Sequence, residues 1–389
     1  MLLDLVNGLH FILTEIILMV LQSYDEPKPP FVRSQLHHVN VEGILHEPKI
    51  VSSGTSADIE VYKMGNTTKA HQTEMIMNVL LSSTNAERQN IMHQYNRILK
   101  KPLLNEKENI KSGLMYQLFE DLLTDTSILL ADELYRAIMS SDLRRTTSIL
   151  IDFWGDEFDQ VENAYKIYSV EPFWKSIEKH FGKSVKSTLH CIVETRKNEP
   201  KQEDPIKGRG VKPIVNKTAV SEVFYDIMVV LDSNKDVGQQ LGQRLCKLDP
   251  FQFQRLNMIY KRKPVRQFGE VLESRTSGQL HNILVAMYNY SINEPMYFAT
   301  LIHDELHKEL IDVLGVQRFL LFRSEIDLHT IDKVYKAKYG IYLSDDVKRI
   351  YYGEYANALL KLLKKEEIPY IYQHSIPLPL PPLLHAIEP

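Results

Sequence analysis

The sequence predicts an all-α protein made of four related units of ~70 residues each. A tyrosine is followed 17 or 18 residues later by a glycine at four places, and the pairs are Tyr95 with Gly113, Tyr165 with Gly182, Tyr260 with Gly278, and Tyr335 with Gly353. Between these pairs apolar residues recur at helical spacing, for example Met75, Ile76, Val79 and Leu80. We therefore expect about five short helices in each unit, in one continuous array.

Helix starts are predicted at the same place in three of the four units. A capping residue stands 11 residues before the tyrosine and is followed three positions later by an acid or amide; the pairs are Thr84 with Glu87, Asp249 with Gln252, and Ser324 with Asp327. This is the capping-box pattern, in which each side chain binds a backbone N–H group of the other residue. The second unit departs from it, because Asp156 lies only nine residues before Tyr165.

Composition and charge exclude several functions. The chain has 389 residues, of which 44% are hydrophobic, so it can bury a large core. Its formal net charge of -4 provides no overall basic field for nucleic acid or acidic lipid, so only local basic patches could bind either one. The sequence contains no phosphate loop, nucleophile elbow or dinucleotide fingerprint, so we predict no catalytic residues and no enzyme. His303 and His307 stand one helical turn apart without a third zinc ligand, and we predict no metal site.

The cysteines and the N-terminal segment are the features of the sequence that indicate the cellular compartment of the protein. Cys191 and Cys246 show neither a metal-ligand spacing nor a disulfide framework, so we expect reduced, buried thiols, which are typical of the cytoplasm. Residues 1–24 are largely apolar, but Glu15 falls near the middle of the stretch and no Lys or Arg precedes it. A docked amphipathic helix is the preferred interpretation of this segment; a signal or anchor and an unstructured start are the alternatives.

The predicted organisation has seven segments. They are an N-terminal arm with an apolar helix (1–62), repeat one (63–127), repeat two (128–197), a linker (198–218), repeat three (219–292), repeat four (293–365) and a proline-rich tail (366–389). The linker is assigned from its prolines, glycines and mixed charges. In the tail, Pro379 and Pro382 belong to a polyproline II segment and are candidates for docking to an SH3-like groove, with simple packing or disorder as the alternative.

The chain resembles the annexin family over roughly residues 63–365. The resemblance is sharpest in the fourth repeat, which carries Phe322-Arg323-Ser324-Glu325-Ile326-Asp327-Leu328, then Tyr335-Lys336-Ala337-Lys338-Tyr339-Gly340, and then Gly353-Glu354-Tyr355. Similar stretches are Glu273-Ser274-Arg275-Thr276-Ser277-Gly278 in the third repeat and Ser83-Thr84-Asn85-Ala86-Glu87 in the first. The second repeat matches least well.

The resemblance implies a curved all-α disk of four five-helix repeats whose convex face binds acidic phospholipid through Ca²⁺. In the family, backbone carbonyls of a G-x-G-T loop face the ion, and one carboxylate about 40 residues later completes the protein ligands, because Ca²⁺ takes six to eight oxygens. The implied protein is a peripheral membrane-binding or membrane–cytoskeleton scaffold protein in the cytoplasm, at a membrane or the cell cortex. Its expected partners are an acidic phospholipid surface and a cytoskeletal or SH3-like protein, and not nucleic acid.

The chain departs from the calcium-binding pattern of the family. The residues three positions before the repeat glycines, where the family keeps its acid, are Ile110, Lys179, Arg275 and Ile350, and G-x-G-T occurs nowhere. Two like unit charges 4 Å apart repel each other by about 4 kcal/mol at an effective dielectric of 20, so a cation at that position disfavours Ca²⁺. We therefore expect reduced or lost calcium dependence and take Lys179 and Arg275 as lipid-contact candidates. The alternative function is a calcium-independent protein-interaction scaffold on the same fold.

Overall fold

The structure is a computed structural model that describes residues 31, 33–39, 45–110, 113–200, 202–203, 212–233, 235–261 and 267–363. The apolar N-terminal stretch and the tail with Pro379 and Pro382 lie outside these residues, so their predicted roles stay predictions. Within the described part, no helix is both long enough and apolar enough to cross a bilayer.

Apart from a short 3₁₀ helix in the arm (Gln35–His38), the helices of the described residues fall into four consecutive groups of five. The first group is α1 (Ala57–Gly65), α2 (Lys69–Ser82), α3 (Asn85–Leu99), a 3₁₀ helix (Leu103–Asn109) and α4 (Gly113–Leu123). The second is α5 (Thr126–Met139), α6 (Leu143–Leu150), α7 (Glu157–Tyr165), α8 (Phe173–Phe181) and α9 (Lys183–Arg196). The third is α10 (Lys217–Ser233), α11 (Val237–Leu245), α12 (Pro250–Lys261), α13 (Phe268–Arg275) and α14 (Gly278–Ile292). The fourth is α15 (Glu294–Leu306), α16 (Val313–Ser324), α17 (Leu328–Tyr339), α18 (Leu343–Ile350) and α19 (Gly353–Leu363).

This order confirms the predicted all-α array of four five-helix repeats. Repeat one contacts repeat four, where α2 packs on α19, and repeat two contacts repeat three, where α6 packs on α14 and α9 on α11. Between the second and third groups, β1 (Gln202–Glu203) pairs antiparallel with β2 (Lys212–Pro213). The exact repeat boundaries remain a proposal; the first helix begins at Ala57, inside the segment that the sequence analysis assigned to the arm.

The recurring tyrosines have a common structural setting. All four are buried near the carboxyl end of the third helix of their repeat. In repeats one and four the hydroxyl donates to a carboxylate 11 residues later, from Tyr95 to Glu106 Oε1 at 2.7 Å and from Tyr335 to Asp346. In these two repeats the tyrosine therefore links the third helix to the fourth.

Backbone conformation explains why glycine recurs at three of these positions. Gly182, Gly278 and Gly353 adopt φ of 88°, 68° and 71°, in the left-handed region that residues with a Cβ rarely enter. Each lies where the fourth helix of a repeat gives way to the fifth. The tyrosine–glycine period in the sequence thus reflects a buried tyrosine in all four repeats and a left-handed backbone at Gly182, Gly278 and Gly353.

Two of the three predicted capping boxes are confirmed. Thr84 and Glu87 bind each other's backbone N–H group, and so do Asp249 and Gln252. The third prediction is wrong, because Ser324 is the last residue of α16 and α17 begins only at Leu328.

The predicted capping box is absent because Asp327 and the start of α17 have other partners. The Asp327 carboxylate is bound by the buried guanidinium of Arg323, with contacts of 2.7 and 2.8 Å, and is not available for capping. The carbonyl of Glu47 accepts from the N–H groups of His329 and Thr330 in its place. A segment distant in sequence therefore satisfies the start of α17.

The described arm residues touch every repeat. Arg33 binds Asp152 in repeat two, and Leu36 packs in a small apolar cluster with Phe251 of repeat three. The Ile50 N–H donates to the Ser324 carbonyl of repeat four at 2.9 Å. Ser52 then donates to Glu87 of repeat one at 2.8 Å. The described arm residues therefore run across the array and contact all four repeats.

The two cysteines correct the expectation of free thiols. Cys191 in α9 and Cys246 after α11 form a disulfide, with their Cα atoms 5.6 Å apart. Their separation in sequence hid this pairing, because only the packing of repeat two on repeat three brings them together. Because the cysteines are paired, they do not indicate a reducing compartment.

Reduction of this disulfide should lower the free energy of unfolding by about 2–4 kcal/mol, because it opens a closed loop whose ends are 55 residues apart. Denaturant titrations with and without reductant measure the difference. The Cys191→Ser/Cys246→Ser variant should match the reduced wild type and ignore the reductant. A wild type that unfolds at the same denaturant concentration in both conditions would contradict the pairing.

Candidate functional site

Two segments of each repeat correspond to the family's calcium-binding pattern described above. We name them the A–B loop, between the first and second helices of a repeat, and the D–E junction, between the fourth and fifth. In repeat three these segments are joined directly: Arg275, the last residue of α13, donates from Nη2 to the carbonyl oxygen of Leu231 at 2.7 Å. Leu231 lies in the last turn of α10, just before the A–B loop. A guanidinium thus stands against a backbone carbonyl beside the loop.

In repeat two the D–E junction is basic and open. Lys179 is in the last turn of α8 with 65% of its side chain exposed, and its Nζ lies 3.5 Å from a Glu171 carboxylate oxygen. Lys175 and Lys183 are exposed on either side of it along the chain. The start of α9 also directs backbone N–H groups towards this junction, so the region as a whole is favourable to an anion.

In repeat four another arginine links the two segments. Ile350 holds the position that the sequence analysis compared with the family acid, and its neighbour Arg349 donates from Nη2 to His307 Nε2 at 2.9 Å. Because a guanidinium only donates, Nε2 accepts, and the other ring nitrogen, Nδ1, donates to the His303 carbonyl at 2.8 Å. Both nitrogens of His307 are therefore in use, which argues against zinc at the His303–His307 pair.

Repeat one has no charge at the corresponding place. Ile110 follows the 3₁₀ helix and is partly buried. In the A–B loop, the Thr67 hydroxyl donates to the Lys63 carbonyl at 2.7 Å. The structure thus places Lys179 and Arg275 in equivalent parts of different repeats and does not bring them into one cluster.

A second polar site, which the sequence analysis missed, is buried where three repeats and the arm meet. Asp152 accepts from Arg33 Nη2 at 2.6 Å, from Arg323 Nη1 at 3.0 Å and from the Tyr290 hydroxyl at 3.2 Å. Glu157 accepts from His37 Nε2 at 2.9 Å. We call this cluster the hub. No sequence signal identifies it, since its members are far apart along the chain.

The hub also contains a possible metal-ligand set. Ligand atoms of His37, Asp152 and Glu294 lie within 4.8 Å of one another. However, Arg323 already bridges Asp152 and Glu294, through Nη1 at 3.0 Å and Nη2 at 2.8 Å. A divalent ion would have to enter beside this guanidinium, at a heavy electrostatic cost. The arrangement fits an internal ion-pair network better than a metal centre.

The charges of the hub shift its pKa values strongly. Burial opposes ionisation of Asp152, but Arg323, Arg33 and His37 outweigh it and hold its pKa well below the usual range. Burial likewise lowers the pKa of His37, but the carboxylates of Glu157 and Asp152 reverse this and raise it to about 9. Burial raises the pKa of Glu294 to about 7 despite Arg323. His37 is therefore a cation at neutral pH.

Known proteins show the same organisation. Annexin B22 of Schistosoma mansoni is 27% identical over 347 residues, which cover 85% of this chain and 95% of that protein. Human annexin A10 is 23% identical over 295 residues, covering 74% and 86%. The calcium-bound structure of annexin (Sm)1 superimposes with a TM-score of 0.74 and 26% identity, covering 86% of this chain and 98% of the other. Chicken annexin V has a TM-score of 0.64 and 20% identity, covering 82% and 99%.

No protein-family model matches the chain. Its four five-helix repeats, with the A–B loop and the D–E junction meeting in repeats three and four, nevertheless define an annexin-type disk. The similarity extends over nearly the whole length of annexin B22 as well as over the fold. The chain is therefore similar to the annexins in both sequence and fold. Calcium-dependent phospholipid binding is the activity of this family.

The charge of His37 predicts a pH dependence of stability. The pKa of His37 is about 9 in the folded protein and 6.5 for an ordinary histidine. Its stabilising contribution is complete below pH 6.5 and is lost as the pH rises to 9, because only the folded state still holds the proton. The free energy of unfolding should fall by up to about 1.4 kcal/mol per pH unit in this window.

Urea titrations at pH 6.5 to 9.5 measure this slope. The His37→Gln variant should lose most of it. His71, whose side chain is 73% exposed, provides the control, and His71→Gln should keep the wild-type slope. The same slope in His37→Gln and wild type would show that His37 is not the charged group.

Proposed function

We propose that this protein binds acidic phospholipid surfaces peripherally and with little dependence on calcium. The observation that carries the proposal is the bond between Arg275 and the Leu231 carbonyl at 2.7 Å, which puts a fixed positive charge between the D–E junction and the A–B loop of repeat three. In the family pattern, a calcium ion joins these segments. Here the side chain supplies a cation of its own.

Electrostatics supports the proposal of calcium-independent lipid binding in two ways. The guanidinium already satisfies a carbonyl that faces the junction, and its charge repels a second cation at close range. Arg275 and Lys179 are also exposed to solvent, where each can attract an anionic lipid surface by ~1 kcal/mol. Such contacts are direct bridges from the protein to phosphate, without an ion between them.

Reversing the charge of both residues should weaken binding to anionic vesicles. The Lys179→Glu/Arg275→Glu variant should lose most of its affinity at low salt, and wild-type binding should fall as salt shortens the Debye length, which is ~10 Å at 0.1 M. Co-sedimentation with vesicles containing phosphatidylserine, in the presence of a chelator, measures both effects.

A matched control separates local contacts from net charge. Lys166 and Lys247 are exposed and lie outside the D–E junctions, so Lys166→Glu/Lys247→Glu changes the net charge equally. This control should bind vesicles nearly as well as wild type. If it loses as much affinity as Lys179→Glu/Arg275→Glu, only the overall charge matters, and the proposed bridges are wrong.

Calcium titration tests the other half of the proposal. Submillimolar calcium should leave the melting temperature of the wild type unchanged, because a ligand stabilises a protein only when it occupies the folded state. Arg275→Glu should restore a carboxylate beside the Leu231 carbonyl and make the melting temperature rise with calcium. Calorimetry that detects tight calcium binding at several sites of the wild type would refute the loss of calcium dependence.

A protein-interaction scaffold is the second candidate. Tyr225 and Val229 lie one turn apart on α10 and are each 68% exposed, which gives an apolar patch suited to a protein surface. The proposed docking prolines, Pro379 and Pro382, belong to the tail. A stable complex with a cytoskeletal or SH3-containing protein in the absence of lipid, together with no vesicle binding, would favour this candidate.

A further inference from the structure

A cavity of about 770 Å³ runs along one face of α14, on the side where the arm crosses the array. That face presents Asn282, Val285, Ala286, Asn289 and Tyr290, at helical spacing. Its volume lies in the range of small-molecule sites, about 300–1,000 Å³. It is separate from the A–B loop and the D–E junction of repeat three that Leu231 and Arg275 join, since neither residue lines it.

One part of the lining is apolar and aromatic. The rings of Trp154 and Phe251 stack with centroids 5.6 Å apart and form a wall with Leu36 and Val39 of the arm. The guanidinium of Arg196 lies behind this wall, 5.6 Å from the Trp154 ring centroid. Among the described residues, its Nε and Nη1 atoms have no hydrogen-bond partner, although the side chain is buried. This leaves a positive charge beside the apolar wall.

Another part of the lining is polar and comes from α6, α15 and α17. The hydroxyls of Thr147 and Tyr297 are buried, with residue exposures of 2% and 8%, and neither has a hydrogen-bond partner among the described residues. A buried hydroxyl without a partner is unfavourable, so each indicates a polar atom supplied from outside. Thr147 and Tyr297 lie on different helices, so a single local packing defect does not explain why both hydroxyls lack a partner.

Two cations lie at the same part of the cavity. Arg144 is one turn before Thr147 on α6 and pairs with Asp304. Lys338 on α17 donates to Thr300 Oγ1 at 2.8 Å and has no carboxylate partner within the described chain. The one acid in the lining, Glu294, is held by Arg323. The lining therefore offers more positive than negative charge to a ligand.

From these features we infer that the cavity binds a small amphipathic carboxylate, with its apolar body against Trp154 and Phe251 and its carboxylate near Lys338, Tyr297 and Thr147. This binding is independent of the membrane contacts proposed above. The aromatic wall favours a flat or chain-like body, and the hydroxyls with Lys338 favour an anionic oxygen group over a neutral one.

The test uses 2-naphthoate as the probe and its neutral analogue 2-naphthamide as the ligand control, both measured by calorimetry on the full chain. Wild type should bind 2-naphthoate saturably and several-fold more tightly than the amide. Lys338→Gln should weaken 2-naphthoate about tenfold and Tyr297→Phe about fivefold, with little change for the amide. Thermal melts establish that each variant is folded.

Lys336 supplies the matched protein control, since it is exposed on the same helix and does not line the cavity. Lys336→Gln should bind 2-naphthoate as wild type does. The inference is overturned by the absence of saturable binding, by equal affinity for acid and amide, or by equal losses in Lys336→Gln and Lys338→Gln. If Tyr297→Phe fails to fold, the exposed Lys338→Gln variant alone decides between these outcomes.

Discussion

The carboxylate of Asp152 is the contact on which the arrangement of this protein depends. It joins Arg33 of the arm, Tyr290 of repeat three and Arg323 of repeat four to its own repeat two. Buried charges are costly unless each has a partner, so removing one member leaves the others uncompensated. The hub therefore makes the arm a required part of the array and couples its position to the packing of three repeats.

Much of the fold follows from sequence, because its causes are local. Gly182, Gly278 and Gly353 at the D–E junctions adopt a left-handed backbone, and the caps at Thr84 and Asp249 act within four residues. The features that the sequence analysis missed depend on distant partners. The cap predicted at Ser324 is absent because the carbonyl of Glu47, far away in sequence, binds the first N–H groups of α17, and Cys246 meets its partner only through the contact between repeats. The hub cannot be predicted from the sequence for the same reason, because its members are far apart along the chain.

The candidate lipid-contact residues could also be predicted only in part from the sequence. A sequence comparison places Lys179 and Arg275 where an acid is expected, which is sufficient to question calcium binding. It does not reveal that Arg275 reaches the Leu231 carbonyl, or that repeat four makes a comparable link through Arg349 and His307. Two repeats thus join the same pair of segments through a guanidinium group.

The disulfide has a further consequence for the linker that it spans. Cys191 precedes the linker and Cys246 follows it, so the covalent path between the two halves of the chain is double. A protease that cuts anywhere between these residues produces two fragments that stay attached through sulfur. Under oxidising conditions the nicked protein would keep the mass of the intact chain apart from one added water, and only a reductant would release its halves.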